Sequence, residues 1–121
     1  MNNYQKAIEN SNIVSKTDIN GIITFVNDEF CNLFGFTKDE LLGKNHNIIR
    51  HPDTPKENFE LLWNTILDKK VYKSTVKNIS KNGEDIYLNT TIIPILDEKE
   101  ENIVEFAAIR YDITNEVLLQ K

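Results

Sequence analysis

One cysteine, one tryptophan, one methionine and four glycines in 121 residues leave several kinds of chemistry without their raw material. The single Cys31 cannot close an internal disulfide, a usage that fits a reducing compartment, so the cytoplasm is the expected location. The scattered glycines form no glycine-rich phosphate loop, and neither a G-x-S-x-G elbow nor a Cys–His pairing is present, so a non-enzyme is expected. No stretch approaches the ~20 apolar residues of a membrane span. The opening Met1-Asn2-Asn3-Tyr4-Gln5-Lys6 lacks the apolar run of a signal peptide, and a soluble chain without membrane contact is expected. Basic residues are outnumbered 14 to 19, for a net charge of −5, and no Lys/Arg stripe interleaves with aromatics. Such a surface repels a phosphate backbone, and nucleic acid is not an expected partner.

What is present reads as one domain of ordinary hydrophobicity. Ile13–Asp18 and Ile22–Val26 are β-branched runs joined by turn residues ending in Gly21, the pattern of a hairpin. Asn27 can cap a helix carrying Phe30, Leu33 and Phe34, stopped by Gly35, and Thr37-Lys38-Asp39-Glu40 is a capping box for a second short helix ended by Gly43. A third box, Thr54-Pro55-Lys56-Glu57, opens a longer helix with Pro55 at its first position and Phe59, Leu62, Trp63, Ile66 and Leu67 along one face. Three strands follow, Val71–Ser80, Glu84–Leu96 and Ile103–Asp112, with Asn82-Gly83 as a favoured two-residue turn and Asp97–Asn102 as a longer link. Two strands, three helices and three strands make an α+β fold with an antiparallel sheet covered on one face.

The segment His46-Asn47-Ile48-Ile49-Arg50-His51-Pro52-Asp53-Thr54-Pro55 holds both histidines, an arginine, an aspartate and two of the three prolines. It is too polar for core and too constrained by proline for a floppy loop, and it reads as a shaped connection that lines a surface. With Trp63 downstream and Lys77-Asn78 and Lys81-Asn82-Gly83 beyond it, the string resembles PAS domains of the aerotaxis-receptor (Aer-like) type, which hold FAD. The resemblance spans about Ser11 to Thr114, including the Asp112-Ile113-Thr114 ending. It implies a five-stranded sheet in the order 2-1-5-4-3, with short helices and one longer helix over one face. The expected division is a helical flank over residues 1–10, a PAS domain over 11–112 and the start of a signalling helix over 113–121. Near-helical spacing of Tyr4, Ala7 and Ile8, and of Ile113, Val117 and Leu118, suits two terminal helices that pair in a homodimer.

Strand parity places Tyr72, Ser74, Val76 and Asn78 on one face and Lys73, Thr75 and Lys77 on the other; lysines belong in water, so Asn78 points inward. A buried amide needs partners, either sheet backbone or, as the resemblance implies, the edge of a flavin ring. Phe106, Ala108 and Arg110 share a face; the resemblance sets Arg110 where LOV domains carry a glutamine beside the flavin, while an exposed or salt-bridged arginine is the plainer reading. Trp63 is a core residue on the helix's apolar face and, by resemblance, also a wall of the flavin site. Arg50, His51 and Asp53 read either as loop residues, with Asp53 capping the helix and Arg50 pairing with it, or by resemblance as contacts to the FAD pyrophosphate or adenosine. Asn27 is a cap first, and the resemblance extends a ligand role to it, to Asn47 and to Tyr72.

Three positions depart from that pattern: Tyr72 replaces a tryptophan, Ser74 a glycine and Thr54 a methionine, and Ser74 is expected to narrow the cavity. Cys31 lies outside the segment where LOV domains carry their adduct-forming cysteine, so thiol photochemistry is not expected. His46, His51 and Asp53 match no common zinc spacing. The expected function is a sensory module that binds FAD and passes redox state or oxygen to an output partner such as a chemotaxis receptor, kinase or cyclase. A haem sensor using His46 or His51 and a cofactor-free dimerisation or docking domain are the alternatives.

Overall fold

The first turn is made by one carboxylate. Asp18 accepts hydrogen bonds from the backbone N–H groups of Asn20 (2.9 Å) and Ile22 (3.0 Å), and Gly21 supplies the positive φ of 82° that a side chain disfavours. In the computed structural model, which describes residues 12–120, this turn joins β1 (Ile13–Thr17) to β2 (Ile23–Val26). Helix α1 (Asp28–Phe34) ends at Gly35, whose φ is 80°, and α2 (Lys38–Leu41) carries the expected capping box between Thr37 and Glu40. A 3₁₀ turn follows at His46–Ile49, then α3 (Lys56–Leu67), β3 (Tyr72–Ile79), β4 (Asp85–Leu96), β5 (Ile103–Asp112) and a short α4 (Thr114–Leu119).

All five strands are antiparallel neighbours in the order β2-β1-β5-β4-β3, as expected. The helices lie on the inward face, where Phe30, Phe34, Ile23, Leu41, Ile49, Ile86 and Leu88 form the core. The expected N-terminal flank, residues 1–10, lies outside the described residues.

Two local expectations are corrected. Pro55 sits at the N-cap of α3, the helix starts at Lys56 and no side chain caps it, so the Thr54 box does not form. The backbone there is committed elsewhere, since the Thr54 N–H donates to the His51 carbonyl (3.2 Å). Asn82-Gly83 is likewise no two-residue turn. Ser80 and Glu84 close the loop (2.9 Å), and Gly83 alone takes a positive φ, whereas a two-residue Asn-Gly turn needs two such residues.

Asn27 does more than cap. Its Oδ1 accepts from the N–H of Phe30 (3.0 Å) and of Val14 (3.1 Å), and its Nδ2 donates to the Asn12 carbonyl, so one buried amide fastens α1 to β1. Asn27→Ala removes a cap of ~1 kcal/mol and orphans a buried N–H at ~1–3 kcal/mol, an expected loss of about 2–4 kcal/mol. Urea unfolding reads this directly, and a loss below about 1 kcal/mol would rule out the double acceptor role.

Candidate functional site

Between the sheet and the helical layer lies a cavity of about 120 Å³. The sheet contributes Ser15 and Thr17 from β1, Phe106, Ala108 and Arg110 from β5, Thr90 and Ile92 from β4, and Val76 and Asn78 from β3. These residues alternate with outward neighbours, as a pleated strand requires. The opposite wall is His46, Asn47, Ile49 and Arg50 of the 3₁₀ segment and Phe59, Leu62, Trp63 and Ile66 of α3, with Gly21 and Asn45 at the rim. Trp63 meets Phe106 edge to face, with ring centroids 5.8 Å apart, and a Cβ on Gly21 would lie 3.4 Å from the indole. Trp63 is half-buried on the apolar face of α3 and borders the cavity.

Asn78 is 7% exposed, on the inward face that parity assigns. Its Nδ2 donates to the Ile49 carbonyl (3.1 Å), tying the 3₁₀ turn to β3, and Oδ1 is buried with no hydrogen-bond partner. An unmet buried acceptor costs ~1–3 kcal/mol, so this atom can accept from an N–H or O–H donor in the cavity.

Arg110 is not the surface arginine of the plainer reading. It is 3% exposed; Nη1 donates to Ser15 Oγ (3.0 Å), Nη2 to His46 Nε2 (2.9 Å), and its Cζ lies 5.5 Å from the Phe30 ring centroid. Because a guanidinium only donates, His46 Nε2 is the bare nitrogen of a neutral ring, and the Ser15 hydroxyl (3.1 Å) also faces it. Burial, and after it the charge of Arg110, pushes the His46 pKa down to about 3, while burial lowers that of Arg110 to about 10. At neutral pH the end of the cavity therefore holds a guanidinium and an uncharged imidazole.

His51, Asp53, Asn27 and Tyr72 do not line the cavity. His51 is buried and both ring nitrogens are engaged: Nδ1 accepts from the Asp53 N–H (3.0 Å), which leaves Nε2–H to donate to Asp85 Oδ1 (2.8 Å). That bond holds the Asp85 carboxyl below its usual pKa and staples the proline-rich string to the start of β4. Asp53 keeps an exposed carboxylate 3.8 Å from the same ring. Arg50 does not pair with Asp53 among the described residues; its guanidinium lies over the Phe59 ring, 3.6 Å from the centroid, at the cavity rim. Asn47 lines the cavity. Tyr72 stands half-buried opposite Ile92 at the far end of β3, and Ser74 also falls outside the lining, so it does not narrow the space. Cys31 packs against the core from α1, its thiol pKa raised by burial, and is absent from the lining.

Sequence reading missed Ser15, Thr17 and Thr90 as site residues, and it cast His46 only as a metal or haem ligand. Parity in Ile13–Thr17 carried the signal, since Ser15 and Thr17 share the face of Ile13.

The profile of the PAS domain family matches residues 10–115, and the chain belongs to that family. It is 34% identical over 108 residues to the aerotaxis receptor of Escherichia coli (strain K12), covering 89% of this chain and 21% of that protein. A blue-light photoreceptor of Listeria innocua serovar 6a is 35% identical over 97 residues, which are 80% of this chain and 38% of the photoreceptor. The chain thus spans roughly a fifth to two fifths of the length of these relatives. Among solved structures, the LOV domain of a blue-light activated histidine kinase from Erythrobacter litoralis superposes with a TM-score of 0.77 at 21% identity, over 85% of this chain and 96% of that domain. No helix among the described residues is long and apolar enough to cross a membrane.

Proposed function

We propose that this PAS domain binds a flavin as FAD and reports redox state or oxygen to an output partner, in the manner of a chemotaxis receptor, kinase or cyclase sensor. The observation that carries the reading is the unmet Asn78 Oδ1 in a cavity walled by Trp63, Phe106 and Phe59. An isoalloxazine edge offers an N–H donor for that acceptor and carbonyl oxygens for the Arg110 guanidinium, and its planar faces suit the aromatic walls. Arg50 and Asn47 at the rim are placed to meet the nucleotide, with charge-assisted bonds of about 1.5–3 kcal/mol each. The open volume of about 120 Å³ is below the ~300 Å³ at the lower end of ligand pockets, so entry of three fused rings requires α3 to shift outward.

A bound flavin supplies reversible electron uptake with a changed hydrogen-bonding edge. Asn78 can follow such a change because its amide is two-faced: Oδ1 meets the ligand while Nδ2 holds Ile49. Turning the amide to donate to the ligand withdraws Nδ2 from the Ile49 carbonyl and sets oxygen against oxygen there, releasing the 3₁₀ turn from β3. β5 leads directly into α4, where Leu118 and Leu119 are exposed, a surface suited to a homodimer or an output helix. A strictly monomeric species by light scattering at high concentration would count against the dimer.

An absorption spectrum of the purified protein, with chromatography of what denaturation releases, tests the cofactor; FAD in the supernatant is expected. Asn78→Ala should weaken flavin retention about tenfold or more, the equivalent of one buried hydrogen bond of ~1–3 kcal/mol, and unchanged flavin content and potential would remove its role. The small volume favours a second reading, a cofactor-free dimerisation or docking domain, and a colourless protein that cannot be reconstituted would leave it as the better account. Haem has less support, because His46 Nε2 faces a guanidinium 2.9 Å away and both nitrogens of His51 are engaged.

A further inference from the structure

The cavity is electropositive inside an acidic protein. In a chain of net charge −5, its lining includes two arginines and a histidine and, among the described residues, no carboxylate. Arg50 at the rim is solvated, but Arg110 is not: it is 3% exposed and donates only to the neutral acceptors Ser15 Oγ and His46 Nε2. β5 is hydrogen-bonded on both sides, with Arg110 opposite Ile13 of β1 and Thr90 of β4, so the guanidinium projects from the middle of the sheet into the cavity. An ion buried without a counter-charge is destabilising by several kcal/mol, and an anion beside Arg110 would offset that cost.

We propose that the flavin-free cavity is a binding site for a small organic carboxylate, with the carboxylate seated on Arg110 and Ser15 and an apolar or aromatic body against Trp63 and Phe106. A planar carboxylate matches the fork of a guanidinium, and a single buried cation balances a monoanion. The body of the ligand is set by the rest of the wall, which is mainly aliphatic and aromatic, and a bare inorganic anion would leave that surface unfilled. A ring of benzoate size suits a void of about 120 Å³. Asn78 Oδ1, in the same lining, adds a selectivity element for a ligand that also carries a hydroxyl or N–H donor. The positioning residue is His46, which in its neutral form accepts from Nη2 and fixes the direction of the fork.

The carboxylate does not depend on the flavin reading; both ligands would use Arg110 and Asn78 of one cavity and so exclude each other. Trp63, the only tryptophan in the chain, borders the cavity and reports occupancy by its fluorescence. The test is a titration of the whole chain, stripped of any flavin by dialysis against concentrated bromide and shown by circular dichroism to keep its sheet, with benzoate and with its neutral isostere benzamide. Benzoate should bind at least about tenfold more tightly than benzamide, and 4-hydroxybenzoate more tightly still. Arg110→Met should bring the benzoate-to-benzamide ratio close to one, and Arg110→Lys should leave it intermediate. Equal affinity for the charged and neutral ligands, or no fluorescence response to either, overturns the proposal without reference to any variant. The flavin content of the protein as purified is measured separately, so loss of one reading leaves the other standing.

Discussion

Acidification is expected to destabilise this domain before its carboxylates begin to titrate. His46 is an ordinary imidazole of pKa 6.5 in the unfolded chain, and burial with the nearby Arg110 and Arg50 charges lowers it to about 3 in the folded protein. The unfolded state therefore binds more protons between those values, and stability rises with pH across that interval. It is full above about pH 6.5 and drains as pH falls towards 3. The interval corresponds to a loss on the order of 4–5 kcal/mol at ~1.36 kcal/mol per pH unit, a large part of the ~5–15 kcal/mol of a typical domain. Urea unfolding from pH 7.5 to 4.5 checks it, and His46→Asn should flatten the slope between pH 6.5 and 5. The same slope in that variant would assign the acid sensitivity elsewhere. Glu40, Asp85 and Asp97 have carboxyl pKa values lowered by their partners and lose those contributions only at lower pH.

Phe30→Ala should be the most damaging single truncation. Phe30 is fully buried, packs on Phe34 with centroids 4.6 Å apart, meets His46 edge to face at 6.2 Å and lies under the Arg110 guanidinium. Truncation of such a residue typically loses 3–5 kcal/mol through lost burial and the cavity left behind. Here it also removes a cation–π contact of about 0.5–2 kcal/mol from an arginine that has no carboxylate. Phe30→Leu keeps most of the volume and should lose about 1–2 kcal/mol while still weakening ligand retention at the Arg110 end. A Phe30→Ala protein within 1 kcal/mol of the parent in urea would show that this core relaxes around the gap.

Much of the architecture was legible because its signals are local. Gly21, Gly35 and the Thr37–Glu40 box mark element ends by backbone conformation and capping, which neighbours in sequence decide. The alternation in Tyr72–Asn78 placed Asn78 inward because pleating has a period of two whatever the fold. The Thr54 box failed for a tertiary reason: His51 is drawn to Asp85, 34 residues away, and the chain around Thr54 follows it. The same bond sets the place of His51 outside the cavity lining, which no local pattern announces.

The sequence by itself determined the element types, the inward direction of Asn78 and the polar string set against one helical wall, since periodicity, capping and proline act over a few residues. Only the tertiary structure decided what those groups meet. Arg110 and Ser15 are 95 positions apart, and Arg110 and His46 are 64 apart. They touch because β1 and β5 are sheet neighbours and the 3₁₀ turn is pinned to β3, and burial then turns an unremarkable arginine and histidine into a fixed cation and a neutral acceptor.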